Sequence, residues 1–284
     1  MNLKDLAFSD LYIGQKASWL AGVPNQGDPI PIPESAVDDV QVLRDACGVA
    51  MEESKREEFS VVHDSISYRV SLLRSLHETV FVLRRFPSRV PPLTRLGLHP
   101  HHLRLLMTHP LTGLVIIAGA FSNGKTTTAS SLVVERLTHH GGVAVTIEDP
   151  PEMPMEGRHG EGVCYQTWVS QGEFAEAARR NARYAPSIIF LGEVRDSETA
   201  LEAIKASTNG RLVICTVHAD NAVSAIERMY MLSNGASGRS EDAAANLARG
   251  LTCVLHQQLG GQPRRPIVEF LWARGEDSTA LRNY

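Results

Sequence analysis

The sequence predicts an α/β protein: a parallel sheet wrapped by helices, with a smaller α/β domain ahead of it. Three observations predict this. From Leu93 onward, short unbroken apolar segments alternate with helical stretches, the pattern of strands buried on both faces and joined by crossover helices. One of these segments runs directly into a glycine loop that ends in Lys-Thr. Before Leu93, Pro87, Pro91 and Pro92 punctuate a chain of different texture, richer in β-branched and aromatic runs. The reading places the first domain at residues 1–90 and the second at 91–284.

Each element has its own justification. Pro24 to Pro33 is rich in Pro and Gly and reads as a loop or hairpin region. Val37 to Arg56 interleaves acids and bases and reads as a helix. Phe59 to Val70 and Val80 to Phe86 have the side-chain density of strands. A helix over about His101 to Thr108 leads into the strand Leu114 to Ala118. After the glycine loop come helix Thr126 to His139, strand Val143 to Ile147 and helix Glu173 to Tyr184. Strand Ile188 to Leu191, helix Ser197 to Ser207 and strand Leu212 to Val217 follow, and Pro266 to Trp272 is a candidate last strand. Arg158 to Gly162 reads as a flexible polar loop, and Gln257 and Gln258 as residues after a helical run.

Composition excludes several classes. With 43% hydrophobic and 21% charged residues among 284, the chain is an ordinary globular protein. A net charge of −4 and 6% aromatic residues give no basic stripe with interleaved aromatics, which argues against nucleic acid as the main partner. Cys47, Cys164, Cys215 and Cys253 are too far apart for a C-x-x-C metal element and read as small buried hydrophobes in a reducing compartment. Met1 to Tyr12 has no apolar core of a secretory signal. Leu114 to Ala118, the longest apolar stretch, is too short to span a bilayer, so a soluble protein is expected.

Gly119-Ala-Phe-Ser-Asn-Gly124-Lys125-Thr126 fits G-x-x-x-x-G-K-[ST] between a buried strand and a helix. Glycines let backbone N–H groups turn inward around phosphate oxygens, and the helix start adds unpaired donors. Lys125 is expected to reach the β and γ phosphates of ATP and the Thr126 hydroxyl to ligate Mg²⁺. Gly119, Ala120, Phe121, Ser122, Asn123, Gly124, Lys125, Thr126 and Thr127 are the expected nucleotide-binding residues. An ordinary glycine turn explains neither Lys125 nor Thr126.

Acids stand at the ends of the next two strands. Val143 to Ile147 runs into Glu148-Asp149-Pro150-Pro151-Glu152, and Ile188 to Leu191 into Gly192-Glu193-Val194-Arg195-Asp196. The C-terminal ends of parallel strands are where such sheets place ligands. Hydrolysis needs one group to deprotonate water and another to hold the metal, and Glu152 and Glu193 can divide those tasks. Helix capping is the competing reading, and it suits Asp196 better than Glu193. His218, at the end of Leu212 to Val217, is a candidate γ-phosphate sensor.

Taken together, these residues resemble the PilT branch of the type II/type IV secretion ATPases, the motors of pili, secretion systems and conjugation machines. Four family boxes occur in order: Gly119 to Thr126, Thr146 to Glu152, Gly192 to Asp196, and Thr216-Val217-His218. Ser9-Asp10-Leu11, Tyr68-Arg69-Val70 and Leu83 to Val90 match its N-terminal motifs. The resemblance implies a PAS-like domain followed by a RecA-like domain in a homohexamer. It implies that Glu152 activates water and that Arg69 and Arg84, with Arg85 a competitor, reach the phosphates. The implied setting is cytoplasmic and peripheral to the inner membrane, with a membrane platform protein as partner.

The loop interior Ala120-Phe121-Ser122-Asn123 departs from the family's usual Pro-Thr-Gly-Ser run, and Tyr184 to Ser187 replaces the usual acids before the second box. The four-cysteine element and the long N-terminal extension of other branches are not expected, and the C-terminal helical extension is expected to be reduced or missing. His99, His101, His102 and His109 read as a solvated helix start rather than a metal site. The leading expectation is an ATP-hydrolysing ring motor. A non-hydrolysing nucleotide-binding ring adaptor and a nucleic-acid translocase are the alternatives.

Overall fold

A computed structural model describes residues 2–170, 172–237, 240–261 and 265–273. The chain divides into two compact units, Met1–Arg89 and Val90–Tyr284.

The first unit is a small α/β domain. Its strands are β1 (Asp10–Ile13), β2 (Ser18–Ala21), β3 (Ile30–Pro31), β4 (Glu58–His63), β5 (Ile66–Arg74) and β6 (Thr79–Arg85), with helix α1 (Val37–Ser54) between β3 and β4. They form one antiparallel sheet in the order β3-β2-β1-β6-β5-β4. Helix α1 buries Val40, Leu43 and Cys47, spaced along one helical face, and packs against β4. The single strand expected over Phe59 to Val70 is in fact a hairpin. Asp64 and Ser65 both take positive φ (49° and 63°), and His63 pairs directly with Ile66. A two-residue turn of that hand matches the twist of the flanking strands, and with no glycine in it nothing in the residue types marks it.

The second unit carries an eight-stranded sheet in the order β14-β13-β7-β12-β11-β8-β10-β9. Its elements are α2 (Pro100–Leu106), β7 (Gly113–Ala118), α3 (Lys125–His140), β8 (Gly142–Glu148), β9 (Gly157–His159), β10 (Gly162–Trp168), α4 (Phe174–Ala182), β11 (Ile188–Leu191), α5 (Ser197–Thr208), β12 (Leu212–Val217), α6 (Ala222–Ser237), α7 (Ser240–Gly250), β13 (Leu251–Gly260) and β14 (Arg265–Trp272). The six inner strands run parallel, and β14 and β9 are antiparallel edges. Alternate residues of β7 feed two cores. Leu114, Ile116 and Ala118 join Ala200, Ala203 and Ile204 of α5, whereas Val115 and Ile117 join Ala129, Leu132 and Val133 of α3. This is a RecA-like sheet covered on both faces.

Two expectations here are corrected. Arg158 to Gly162 is not a free loop: it turns between β9 and β10, with Gly160 at φ 56°. Gln257 and Gln258 lie inside β13, whose first seven residues are all buried. A short apolar run without alternation fits a buried helix as well as a buried strand, so the sequence did not separate them. All four cysteines are free and buried, as expected.

Candidate active site

β7, β12, β11 and β8 are successive neighbours in the sheet and parallel, so their C-terminal ends open on one edge. The glycine loop leaves β7 there. Gly119 has φ 150°, and a Cβ on it would strike the main-chain carbonyl oxygen of Gln257 in β13. Gly124, at φ 75°, forms the N-cap of α3. That helix start has no side-chain cap and no acid in its first turn. Its N–H donors and the positive end of its dipole therefore face the loop uncompensated, an arrangement suited to an anion. Thr126 and Thr127, in the first turn, are half-buried.

Lys125 is 8% exposed. Its Nζ donates to the Ala120 carbonyl of its own loop at 2.8 Å and lies 3.5 Å from His218 Nδ1. His218 Nε2 lies 3.2 Å from Glu193 Oε1, and Arg195 donates to Glu193 Oε2 at 2.6 Å. A neutral imidazole satisfies this chain: Nδ1 accepts from the ammonium and Nε2–H donates to the carboxylate. Burial, and then the Lys125 charge, lower the His218 pKa against the pull of Glu193. Burial likewise lowers the Lys125 pKa, with Glu193 and Glu152 opposing. The Phe121 ring lies over His218 at 3.8 Å between centroids.

Glu193 owes its position to the neighbouring strands. Gly192 N–H donates to the Ile147 carbonyl at 2.9 Å and Val194 N–H to the Thr216 carbonyl at 3.0 Å. Asp196 instead caps α5, accepting from Thr199 N–H at 2.8 Å. On the β8 side, Glu152 is exposed between half-buried Pro151 and buried Met153. Glu148 is buried at the strand end, and burial pushes its carboxyl up to about 7. Asp149 accepts from the Trp168 indole at 3.1 Å.

The family model for type II/IV secretion system proteins matches residues 53–263. The chain belongs to that family. It is 31% identical to the type IV pilus ATPase PilU of Pseudomonas aeruginosa, over 93% of this chain and 70% of PilU. It is 32% identical to the type IV pilus assembly ATPase PilB of Acinetobacter baylyi, over 72% of this chain but only 34% of PilB. Its fold matches the crystal structure of the pilus retraction motor PilT with bound ADP at a TM-score of 0.79 and 25% identity, over 98% of this chain and 83% of that one.

The arginines that the resemblance implies for the phosphates fall in the first unit. Arg69 and Arg84 are directly opposed across β5 and β6. Arg69 donates to Glu58 at 2.8 Å and Arg84 to Asp10 at 2.8 Å. Arg85 is committed elsewhere, donating to the Leu6 and Lys4 carbonyls at 2.6 and 2.8 Å. No sequence motif marks Gln257. In the structure Gln257 is 1% exposed, and its Nε2 donates to the Asn123 carbonyl at 2.5 Å, while Asn123 Oδ1 accepts from Leu259 N–H at 3.1 Å. The only signal of this was the pair of glutamines in an apolar run. The histidine cluster is partly packed rather than wholly solvated: His99 caps α2 through His101 N–H, but His102 stacks on Phe270 at 4.3 Å.

Proposed function

We propose that this chain is the ATP-hydrolysing subunit of a PilT-like homohexameric motor that drives a pilus, secretion or conjugation machine. The observation that carries the reading is the unbroken chain from Lys125 through His218 to Glu193, beside an uncapped helix start. That edge offers donors and positive charge for phosphate, and acids for water and metal. The loop residues Gly119 to Thr127 hold the triphosphate. Thr126 and Glu193 would hold Mg²⁺, which supplies charge neutralisation at the phosphates. Lys125 exchanges Ala120 and His218 for phosphate oxygens, and His218 keeps its donor toward the edge where charge develops. Glu152, exposed and unconstrained by an ion pair in its own segment, takes the proton of the attacking water. Arg69 and Arg84 already hold carboxylates, so a role for either at the phosphates requires exchanging Glu58 or Asp10 for them.

No helix among the described residues is long and apolar enough to cross a membrane. The proposed setting, cytoplasmic and docked on an inner-membrane platform protein, rests on the resemblance to pilus and secretion motors. Steady-state ATP hydrolysis by the purified chain, with Glu152→Gln beside it and with and without DNA, tests the reading. A loss of about 10²–10⁴-fold in turnover at retained nucleotide binding is expected for Glu152→Gln. Nucleotide binding without any hydrolysis by the parent chain would establish the adaptor instead, and strict dependence on DNA would establish a translocase.

A further inference from the structure

We infer that Gln166 is a positioning residue that sets where Glu152 stands. The inference rests on the proposed role of Glu152 as base. Gln166 lies on β10, in register with Thr146 of β8, so its side chain reaches the segment that leaves the end of β8. Its Nε2 donates to Glu148 Oε1 at 3.0 Å and to the Met153 carbonyl at 2.9 Å. Its Oε1 accepts from Met155 N–H at 2.7 Å and Glu156 N–H at 2.8 Å. Two donations and two acceptances exhaust the hydrogen-bonding capacity of a primary amide. They also fix which end is oxygen, because only the oxygen can receive two backbone N–H groups.

The consequence follows from where these partners lie in the chain. Glu148 precedes Glu152, and Met153, Met155 and Glu156 follow it, so one amide fastens the segment on both sides of the proposed base. Met153 and Met155 are buried in the α3-side core, which anchors the same stretch by packing. Glu152 itself is left exposed. Its own side chain is thus free for chemistry while its backbone is held from β10, an element that contains none of the four boxes Gly119 to Thr126, Thr146 to Glu152, Gly192 to Asp196 and Thr216 to His218. Catalytic placement is sensitive to small displacements, so loosening this anchor acts on the chemical step more than on nucleotide affinity.

Substitutions at Gln166 separate this from general support of the fold. Gln166→Leu removes all four bonds. Gln166→Glu keeps the two acceptances, loses both donations and sets a second carboxylate against Glu148. Pairing Gln166→Glu with Glu148→Gln restores the bond between the two side chains with donor and acceptor exchanged. Each variant is purified as the full chain, its fold checked by circular dichroism, and kcat, ATP-analogue affinity and amide hydrogen exchange over 149–156 are measured beside Glu152→Gln. Gln166→Leu is expected to lower kcat by about tenfold or more, to hold affinity within about twofold, and to speed exchange at Met155 and Glu156. The double substitution is expected to recover at least about threefold of the turnover lost in Gln166→Glu. Unchanged exchange and unchanged kcat in Gln166→Leu would overturn the inference, as would affinity falling in step with turnover. If Gln166→Leu speeds exchange but Glu152→Gln retains full turnover, the anchoring stands and the base assignment fails.

Discussion

Replacing Glu148 with Gln should change how the stability of the chain depends on pH. Burial pushes this carboxyl from an ordinary 4.5 up to about 7, and the hydrogen bond from Gln166 offsets only part of that cost. Between those values the folded chain keeps a proton that the unfolded chain releases. Stability from this group is therefore fully present below about pH 4.5 and is lost as pH rises through about 7. At 1.36 kcal/mol per pKa unit, the shift corresponds to an upper figure of roughly 3 kcal/mol once the group is fully ionised. Gln is nearly isosteric and its carbonyl still accepts from Gln166, so Glu148→Gln removes the titration and keeps the contact. Denaturant unfolding of the nucleotide-free chain at half-unit steps from pH 4.5 to 8.5 measures the effect. The gap in unfolding free energy between Glu148→Gln and the parent should widen in favour of the variant by up to about 3 kcal/mol across that range. Parallel curves would refute the reasoning, because they would mean that Glu148 ionises in the folded chain as it does in water.

Three further outcomes are expected around the glycine loop. Lys125→Ala abolishes hydrolysis and weakens binding of a fluorescent ATP analogue by at least about tenfold, since it removes the one ammonium placed at the loop; unchanged turnover would sink the loop assignment. Ser122 holds a left-handed φ of 58°, so Ser122→Gly raises the unfolding free energy by up to about 1 kcal/mol, readable as a higher midpoint in urea. Gln257→Leu loses the bond to the Asn123 carbonyl but also removes a buried Oε1 that has no hydrogen-bond partner among the described residues. Thermal stability should therefore move little while analogue affinity falls about fivefold, and a large loss of stability with normal affinity would contradict that.

The strands and helices that build the RecA-like sheet were legible because each is a buried run bounded by punctuation. β7, β11 and β12 are apolar at nearly every position, are too short for a helix, and are closed off by Gly or Pro nearby, which together favour a strand. β10 was missed for the opposite reason. Gly162-Val-Cys-Tyr-Gln-Thr-Trp168 alternates only weakly, because it is the last parallel strand before the short edge β9 and is buried mainly near its start. β13 was missed because its apolar run resembles a helix segment. These two strands also carry what motif reading did not reach: Gln166 and Gln257 are neutral amides, and no spacing rule marks a neutral amide as support for a loop elsewhere in the chain. The acids and His218 stood out in the sequence because a polar or charged group at the tip of a buried strand is costly without a reason.

The geometry around Lys125 bears on why this edge suits a polyphosphate. Its ammonium is already desolvated and already donates to the Ala120 carbonyl, with His218 beside it. Taking up a phosphate oxygen therefore exchanges one hydrogen bond for another and strips away little further water. What changes is the acceptor, from a neutral carbonyl and a neutral imidazole to an anion, which adds the direct attraction of opposite charges to a bond that the ammonium already makes. Burial magnifies the difference, because the same environment that lowers the Lys125 pKa weakens screening of its interaction with an anion. Glu193 sits one imidazole away and holds Arg195, so a cation at its carboxylate competes with Arg195 and His218 for the same oxygens. On the proposed roles, anion capture at Lys125 and cation capture at Glu193 would pull on opposite ends of one hydrogen-bonded chain. Phosphate drawing Lys125 away would free His218 Nδ1, and a cation held by Glu193 would free Nε2–H. A ligand bringing both charges at once would release the imidazole from both partners, which neither phosphate nor metal would do alone.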